Sequence, residues 1–337
     1  MNSAMQEQTI RLQRLPRSWA RRCLGIEAFC RDSLGVDLRG TRLVVAYSTG
    51  LDSTALLHLL HILTPRTGFS LIAAHAHHGL RPESDAELSH ARKVCAELGI
   101  PCETARLDVR GHQAASGRGT EESARLLRYE FLESARARYD ADWIVTAHHA
   151  DDLAEDMVLR LVRGTGWPGL GGMPGVDSKR RLLRPVLDWT KEDLHAFALA
   201  CGLAWHEDRS NQSTDPTRNR IRRQVMPLLR RENPSLSRSV LNLWRLARLD
   251  EDFWNTELTG ERDSRILTHR TLVTCHPAKR LRLYKAVLDG LGPGQTLSGH
   301  LFLLDRAWAE KKTGAIIQFP GDKTARITPP GILFERH

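Results

Sequence analysis

Tyr47-Ser48-Thr49-Gly50-Leu51-Asp52-Ser53 gathers a glycine, several hydroxyls and a carboxylate into one short turn. Gly50 lets the backbone approach a phosphate closely, and Ser48, Thr49 and Ser53 offer hydroxyl donors. The apolar stretch TALLHLLHIL (54–63) follows as a helix, and its N-terminal N–H groups and dipole favour an anion at the same place. Asp52 repels a phosphate unless a hard divalent cation bridges the two, so the turn predicts Mg²⁺ beside a polyphosphate. The Walker spacing Gly-x-x-x-x-Gly-Lys-Ser/Thr and the dinucleotide spacing GxGxxG are absent from this turn. An ordinary turn with an N-cap serine would carry the same letters.

A second cluster is His148-His149 with Asp151, Asp152, Glu155 and Asp156. Asp152 and Glu155 are three apart, so on a helix both carboxylates face one way. Paired acids of this kind suit an ammonium group or a second metal. Acids favouring a helix N-terminus explain Asp151 but not the paired histidines, and the HExxH zinc spacing is absent. Arg125 and Arg128, also three apart, share one side of another helix.

These residues need elements to hold them at one place. LVVAY (43–47), SLIAAHAH (70–77), CETARL (102–107) and DWIVTAHH (142–149) read as buried strands. Between them, 54–63, 83–99, 119–139 and 151–164 read as helices, with Thr120 as an N-cap. Strands alternating with helices predict an α/β fold with a doubly wound parallel sheet. Such sheets bind ligands beyond the carboxyl ends of their strands, where the residues after Tyr47, His75 and Thr146 fall.

The rhythm fades after Trp205. Residues 217–255 and 278–310 read as helices with apolar stripes, and GAIIQF, ARIT and ILF suggest a small β-element at the end. The expected division is a basic helical segment at 1–40, the α/β domain at 41–220 and a smaller, mainly helical domain at 221–337, with the boundary near 215–230.

Of 337 residues, 49 are Lys or Arg and 40 are Asp or Glu, giving +9. From Pro216 to Arg248 the bases are Arg218, Arg220, Arg222, Arg223, Arg230, Arg231, Arg238, Arg245 and Arg248, against Glu232 alone. Arg160, Arg163, Lys179, Arg180, Arg181 and Arg184 form a second block. Clustered base predicts nucleic acid; a solvated helix face is the plainer alternative. No apolar run is long enough for a membrane helix. The six cysteines lack CxxC spacing, so a reducing, cytoplasmic setting is expected.

The strand followed by Ser-x-Gly-x-Asp-Ser resembles the PP-loop of N-type ATP pyrophosphatases. Further stretches resemble the tRNA(Ile)-lysidine synthetase family within them. They are His75-Ala76-His77-His78-Gly79-Leu80-Arg81 with Ser84-Asp85, and Glu122, Ala124, Arg125, Arg128 and Tyr129. Thr146-Ala147-His148-His149 with Asp151, Asp152 and Glu155 follows, then Arg160-Leu161, Arg163-Gly164-Thr165-Gly166, Gly169-Leu170 and Met173. Arg184-Pro185, Trp205, Glu207-Asp208, Ser210-Asn211, Arg218-Asn219, Ile221-Arg222 and Pro227 complete the run, which spans roughly 40–230. The family's loop is usually Ser-Gly-Gly-x-Asp-Ser, and Thr49 stands at its first glycine.

This resemblance implies an adenine nucleotide α-hydrolase-like fold and an ATP-dependent ligase. ATP adenylates the 2-oxo oxygen of the wobble cytidine of a tRNA(Ile); the amine of free L-lysine then attacks C2 and expels AMP. The implied catalytic residues are Asp52, Arg125, Arg128 and His148. Ser48, Thr49, Gly50, Leu51, Asp52, Ser53 and His75 would hold ATP, with Asp52 on Mg²⁺ and Ile72, Ala73 and Ala74 suiting the adenine. Asp152 and Glu155 would bind lysine. Arg163, Arg184, Arg218, Arg222 and Arg223 would hold tRNA phosphates, and Trp167 or Trp205 could stack on a splayed base. A homodimer is compatible with this reading. A tRNA thiolase would need sulfur-carrying cysteines within the motifs, and a non-catalytic tRNA-binding relic is the other alternative.

Overall fold

The computed structural model describes residues 10–77, 83–206, 216–258, 260, 264–294 and 296–337. His78, Gly79, Leu80, Arg81, Glu207, Asp208, Ser210 and Asn211 of the motif run lie outside the described residues. The chain divides into two compact units, Met1–Asp156 with Met173–Leu241, and Met157–Gly172 with Asn242–His337.

In the first unit the elements run α1 (Arg17–Asp32), β1 (Arg42–Ala46), α2 (Leu51–Thr67), β2 (Ser70–His77), α3 (Glu83–Leu98) and β3 (Cys102–Arg106). Then come α4 (Val109–Ser116), α5 (Thr120–Arg138), β4 (Trp143–Val145), α6 (Ala150–Val162), β5 (Val176–Asp177), β6 (Leu182–Leu183) and α7 (Lys191–Ala200). The sheet order is β3-β2-β1-β4-β6-β5. Every pair is parallel except β5 with β6. This is the expected doubly wound α/β sheet.

Side chains on a strand alternate between faces. Leu43, Val45, Leu71 and Ala73 join the core shared with α2, while Val44, Ile72 and Ile144 join Phe131, Leu132 and Ala135 of α5. Helix α2 is buried on nearly all sides, which is why its sequence is apolar almost throughout. Strand β4 ends at Val145, well short of the expected 149, leaving Thr146–His149 as irregular backbone. Gly119, not Thr120, is the N-cap of α5; the Thr120 hydroxyl instead donates to Gln113 Oε1 at 3.0 Å.

The helical stretch expected over 217–255 is interrupted. It divides into α8 (Pro216–Arg220), a π-helical turn (Ile221–Val225), α9 (Met226–Glu232) and α10 (Leu236–Glu257). Pro234 forces the break before α10, because the residue preceding a proline is pushed out of helical backbone; Asn233 sits at φ −138°, ψ 96°.

The second unit adds β7 (Ile266–Thr268), α11 (His269–Thr274), α12 (Pro277–Gly290), α13 (Ser298–Ala309), β8 (Ile316–Phe319), β9 (Lys323–Thr328) and β10 (Gly331–Arg336). Its sheet has the order β7-β10-β9-β8, all antiparallel. Strand β7 was not evident in the sequence because it is short and its pairing partner, β10, is distant in the chain. Lys323 is 1% exposed, and its ammonium donates to the carbonyls of Leu288, Gly292 and Gly294 at 3.0, 3.1 and 2.9 Å. It thus satisfies a carbonyl of the last turn of α12 and two in the segment just after it.

Candidate active site

The turn after β1 is held by its own side chains. The Ser48 amide donates to Ser53 Oγ at 3.1 Å, and Ser53 Oγ donates to the Gly50 carbonyl at 3.1 Å. The Ser48 and Ser53 hydroxyls lie 3.0 Å apart. From behind, His75 Nδ1 donates to the Tyr47 carbonyl at 2.9 Å. His75 is 2% exposed and does not reach the cavity wall. Its part is to pin the loop backbone, not to touch a nucleotide as expected.

Thr49 adopts φ 65°, the left-handed region that suits glycine. A β-branched residue there is strained by about 1–2 kcal/mol. Thr49 is fully buried, its hydroxyl has no hydrogen-bond partner, and its side chain is not on the cavity wall. Its carbonyl accepts from the His206 amide at 2.9 Å. Thr49 therefore contributes backbone geometry and not the hydroxyl donor expected of it.

Beyond this loop opens a cavity of about 670 Å³, walled by Ser48, Gly50, Leu51, Asp52 and Ser53 on one side and by Arg128, Thr146 and His148 on the other. Ala74 and Ala76 offer small apolar side chains on the wall, whereas Ile72 and Ala73 lie in the core. Trp205 is on this wall; Trp167 belongs to the second unit. Arg125 lines a separate groove.

Irregular backbone after β4 carries the two histidines to opposite fates. His148 Nδ1 lies 2.8 Å from Thr146 Oγ1 and 3.3 Å from Arg184 Nε. A guanidinium only donates, so Nδ1 accepts and the ring proton sits on Nε2. Burial, followed by the charges of Arg184, Arg128 and Arg218, holds the His148 pKa well below that of an ordinary histidine, so the ring is neutral. Arg184 itself is 7% exposed and donates through Nη1 to the Pro174 carbonyl at 2.7 Å. Expected on tRNA phosphates, it is a buried support for His148.

His149 stands among carboxylates. Nε2 is 3.4 Å from Asp152 Oδ2 and 3.7 Å from Asp52 Oδ2, and Nδ1 is 3.5 Å from Asp151 Oδ2. Burial opposes its charge, but Asp151, Asp52 and Asp152 outweigh burial and push its pKa up to about 10. It is an imidazolium at neutral pH. Asp151 also accepts from the Lys191 amide at 2.7 Å and pairs with Arg230 at 2.6 Å, joining the starts of α6 and α7 to α9. Burial raises the Asp52 carboxyl, yet His149, Lys191 and Arg222 hold it below its usual range. One Asp52 oxygen, Oδ1, is buried without a hydrogen-bond partner. An unpartnered buried carboxylate oxygen at the start of the helix after this loop fits a hard cation, which takes one or two protein carboxylates and completes its shell from phosphate and water.

Asp52, Asp152 and Lys191 also line a second cavity of about 850 Å³, which holds Glu155, Arg222 and Arg223. Glu155 is 5% exposed. Arg222, expected on tRNA phosphates, donates to both Glu155 oxygens and lies 3.5 Å from Asp152, so its charge is met by the acid pair. Arg223 is exposed on the same cavity, and Arg218 is half-buried. Arg163 is exposed in the second unit.

Sequence reasoning missed Lys191, whose Nζ lies 4.0 Å from Asp52 Oδ2. The signal was present: Thr190 and Asp193 form a capping box, which marks a further helix start.

A family model described as a PP-loop domain matches residues 26–229. A tRNA(Ile)-lysidine synthase from Nitratidesulfovibrio vulgaris is 44% identical over 333 residues, which is 92% of this chain and 96% of that protein. One from Bacillus subtilis is 35% identical over 237 residues, 69% of this chain, and the match spans only 50% of that longer relative. Among solved structures, the U34-tRNA thiolase NcsA from Methanococcus maripaludis superposes with a TM-score of 0.55 at 16% identity, over 68% of this chain and 80% of that one. At that identity the likeness shows the fold alone.

Proposed function

The chain belongs to the tRNA(Ile)-lysidine synthase family of PP-loop proteins, and on that premise we propose that it is an ATP-dependent ligase joining L-lysine to the wobble cytidine of a tRNA(Ile). ATP adenylates the cytidine 2-oxo oxygen with loss of pyrophosphate, and the lysine amine then attacks C2 and expels AMP. The observation that carries the reading is the meeting of the Ser48–Ser53 loop, Asp52 with its unpartnered oxygen, and neutral His148 on one cavity, with Asp152 shared by a second.

Ser48, Gly50 and Ser53 hold the pyrophosphate end of ATP, with the α2 N-terminus behind them. Mg²⁺ on Asp52 would neutralise phosphate charge. Arg128 and the Nε2–H of His148 steady the α-phosphate as its charge changes; preorganised donors in a buried site are worth more than in water. His148 donates there and takes no proton, because its other nitrogen is occupied. Asp152 and Glu155 hold the lysine ammonium. His149 is already protonated and so is not the base that frees the amine. The setting proposed is cytoplasmic; no helix among the described residues is long and apolar enough to cross a membrane.

The protein is incubated with ATP, Mg²⁺, labelled lysine and total tRNA. The expected result is label in a single tRNA with one AMP and one pyrophosphate per lysine. AMP release that ignores lysine would point to another PP-loop tRNA-modifying reaction. tRNA binding with no AMP at all would mark a relic.

A further inference from the structure

A third cavity, of about 690 Å³, is lined by Arg125, Tyr129, Lys179 and Arg180. Of the residues walling it, Tyr129 alone also walls the nucleotide cavity. Three guanidiniums surround its ring: the Cζ atoms of Arg125, Arg128 and Arg180 lie 5.5, 5.7 and 5.8 Å from the centroid. The ring is half-buried and packs on the core cluster of Val44, Phe131 and Leu132.

The groove holds Arg118, Arg125, Lys179 and Arg180 against Glu122, Glu130 and Glu133, a small excess of base. Glu122 pairs with Arg118 at 3.7 Å and Glu133 with Arg136 at 2.6 Å. Among the described residues Arg125, Lys179 and Arg180 have no ion pair. The seam between the nucleotide cavity and the second cavity is instead Asp52, Asp152 and Lys191, two carboxylates against one ammonium, a net negative balance that receives a cation better than a phosphate. An RNA strand and an ammonium therefore have separate approaches. Splayed bases of single-stranded RNA are held by stacking on aromatic rings and guanidinium planes, with Lys and Arg on the flanking phosphates.

Resting on the function proposed above, we infer that Tyr129 is the platform on which the target pyrimidine stacks as it turns into the nucleotide cavity. Arg125, Lys179 and Arg180 grip the phosphates of the neighbouring single-stranded nucleotides. The amine enters past Asp52 and Asp152, the carboxylates shared with the second cavity.

The test uses the full chain and an anticodon stem-loop RNA carrying a fluorescent cytidine analogue at the target position. Wild type should quench the analogue. Tyr129→Leu should lose the quench and raise the RNA KM about tenfold to a hundredfold, as loss of one base–aromatic stack does, while KM for ATP and lysine stays within about twofold. Tyr129→Phe should restore the quench. A Tyr129→Leu enzyme that quenches like wild type overturns the platform. The quench is read without turnover, so a wild type that failed to use lysine would overturn the reaction and leave the platform judged by fluorescence alone. If Tyr129→Leu fails to fold, Arg125→Gln and Arg180→Gln serve: each should lower the slope of log Kd against log salt by about one, and unchanged slopes overturn the groove.

Discussion

Arg222 donates from Nε and Nη2 to the two carboxylate oxygens of Glu155, each at 2.8 Å, across 67 residues of chain. A cation therefore already occupies the acid pair proposed for the lysine ammonium, and the substrate must displace it or share the site. Glu155→Ala removes a charge-assisted acceptor worth about 1.5–3 kcal/mol. The lysine KM should rise about tenfold to a hundredfold, with the ATP KM within about threefold. Equal rises in steady-state assays would reject the assignment.

Thr49→Gly should relieve the strain at φ 65°. Part of the about 1–2 kcal/mol gained is offset by glycine's extra freedom in the unfolded chain, about 0.5–1 kcal/mol. The expected net is a small stabilisation, seen as a rise of a few degrees in the melting temperature. The ATP KM should stay within about twofold, because the Thr49 side chain is not on the cavity wall. A large fall in KM would mean that the natural loop is compromised.

His149 makes stability depend on pH in a known direction. Its pKa is pushed up to about 10, above the roughly 6.5 of an unfolded histidine. Its contribution is full below that unfolded value and is lost as pH rises through about 10. His149→Gln should cost on the order of 3 kcal/mol near pH 6 and flatten the decline toward alkaline pH. Urea unfolding at several pH values measures this; parallel curves for the two proteins would refute it. Asp52 and Asp151, both held low, act oppositely: their share is present above the usual carboxylate pKa and is lost in acid.

Arg184→Gln separates support of His148 from phosphate binding. The ring would lose the donor that fixes its tautomer, and kcat should fall about tenfold to a hundredfold. The RNA KM and its salt dependence should not change, since a buried guanidinium neutralises no phosphate. A shallower salt slope would return Arg184 to the tRNA.

Asp52→Asn leaves the shape of the loop and removes the charge at its unpartnered oxygen. Half-saturation of ATP binding should then need at least about tenfold more Mg²⁺. Titration of Mg²⁺ at fixed ATP measures the shift, and an unmoved midpoint would take the metal off this residue.

Much of the scaffold could be read from local pattern. Runs such as LVVA and SLIAAHAH, broken by turn residues and followed by apolar helices, have few ways to bury themselves other than a doubly wound sheet. That sheet then brings Ser48–Ser53 and Thr146–Glu155 together beyond the carboxyl ends of the neighbouring strands β1 and β4. The side on which Asp152 and Glu155 lie follows from helical spacing alone. Strand β7 and the break at Asn233 were harder, the first because it pairs with a distant strand, the second because one proline overrode a long helical stripe.

The sequence by itself determined the parallel sheet, the phosphate-type turn and the paired acids, since each is set by neighbours a few positions away. Only the tertiary structure decided what the arginines do. Arg184 is buried on His148, Arg222 is spent on Glu155, and Arg125 and Arg180 stand beside Tyr129. A guanidinium looks the same in the sequence whether it waits for a phosphate or is neutralised from within, because a long, charged side chain takes its partner from whatever the fold brings within about 4 Å of it.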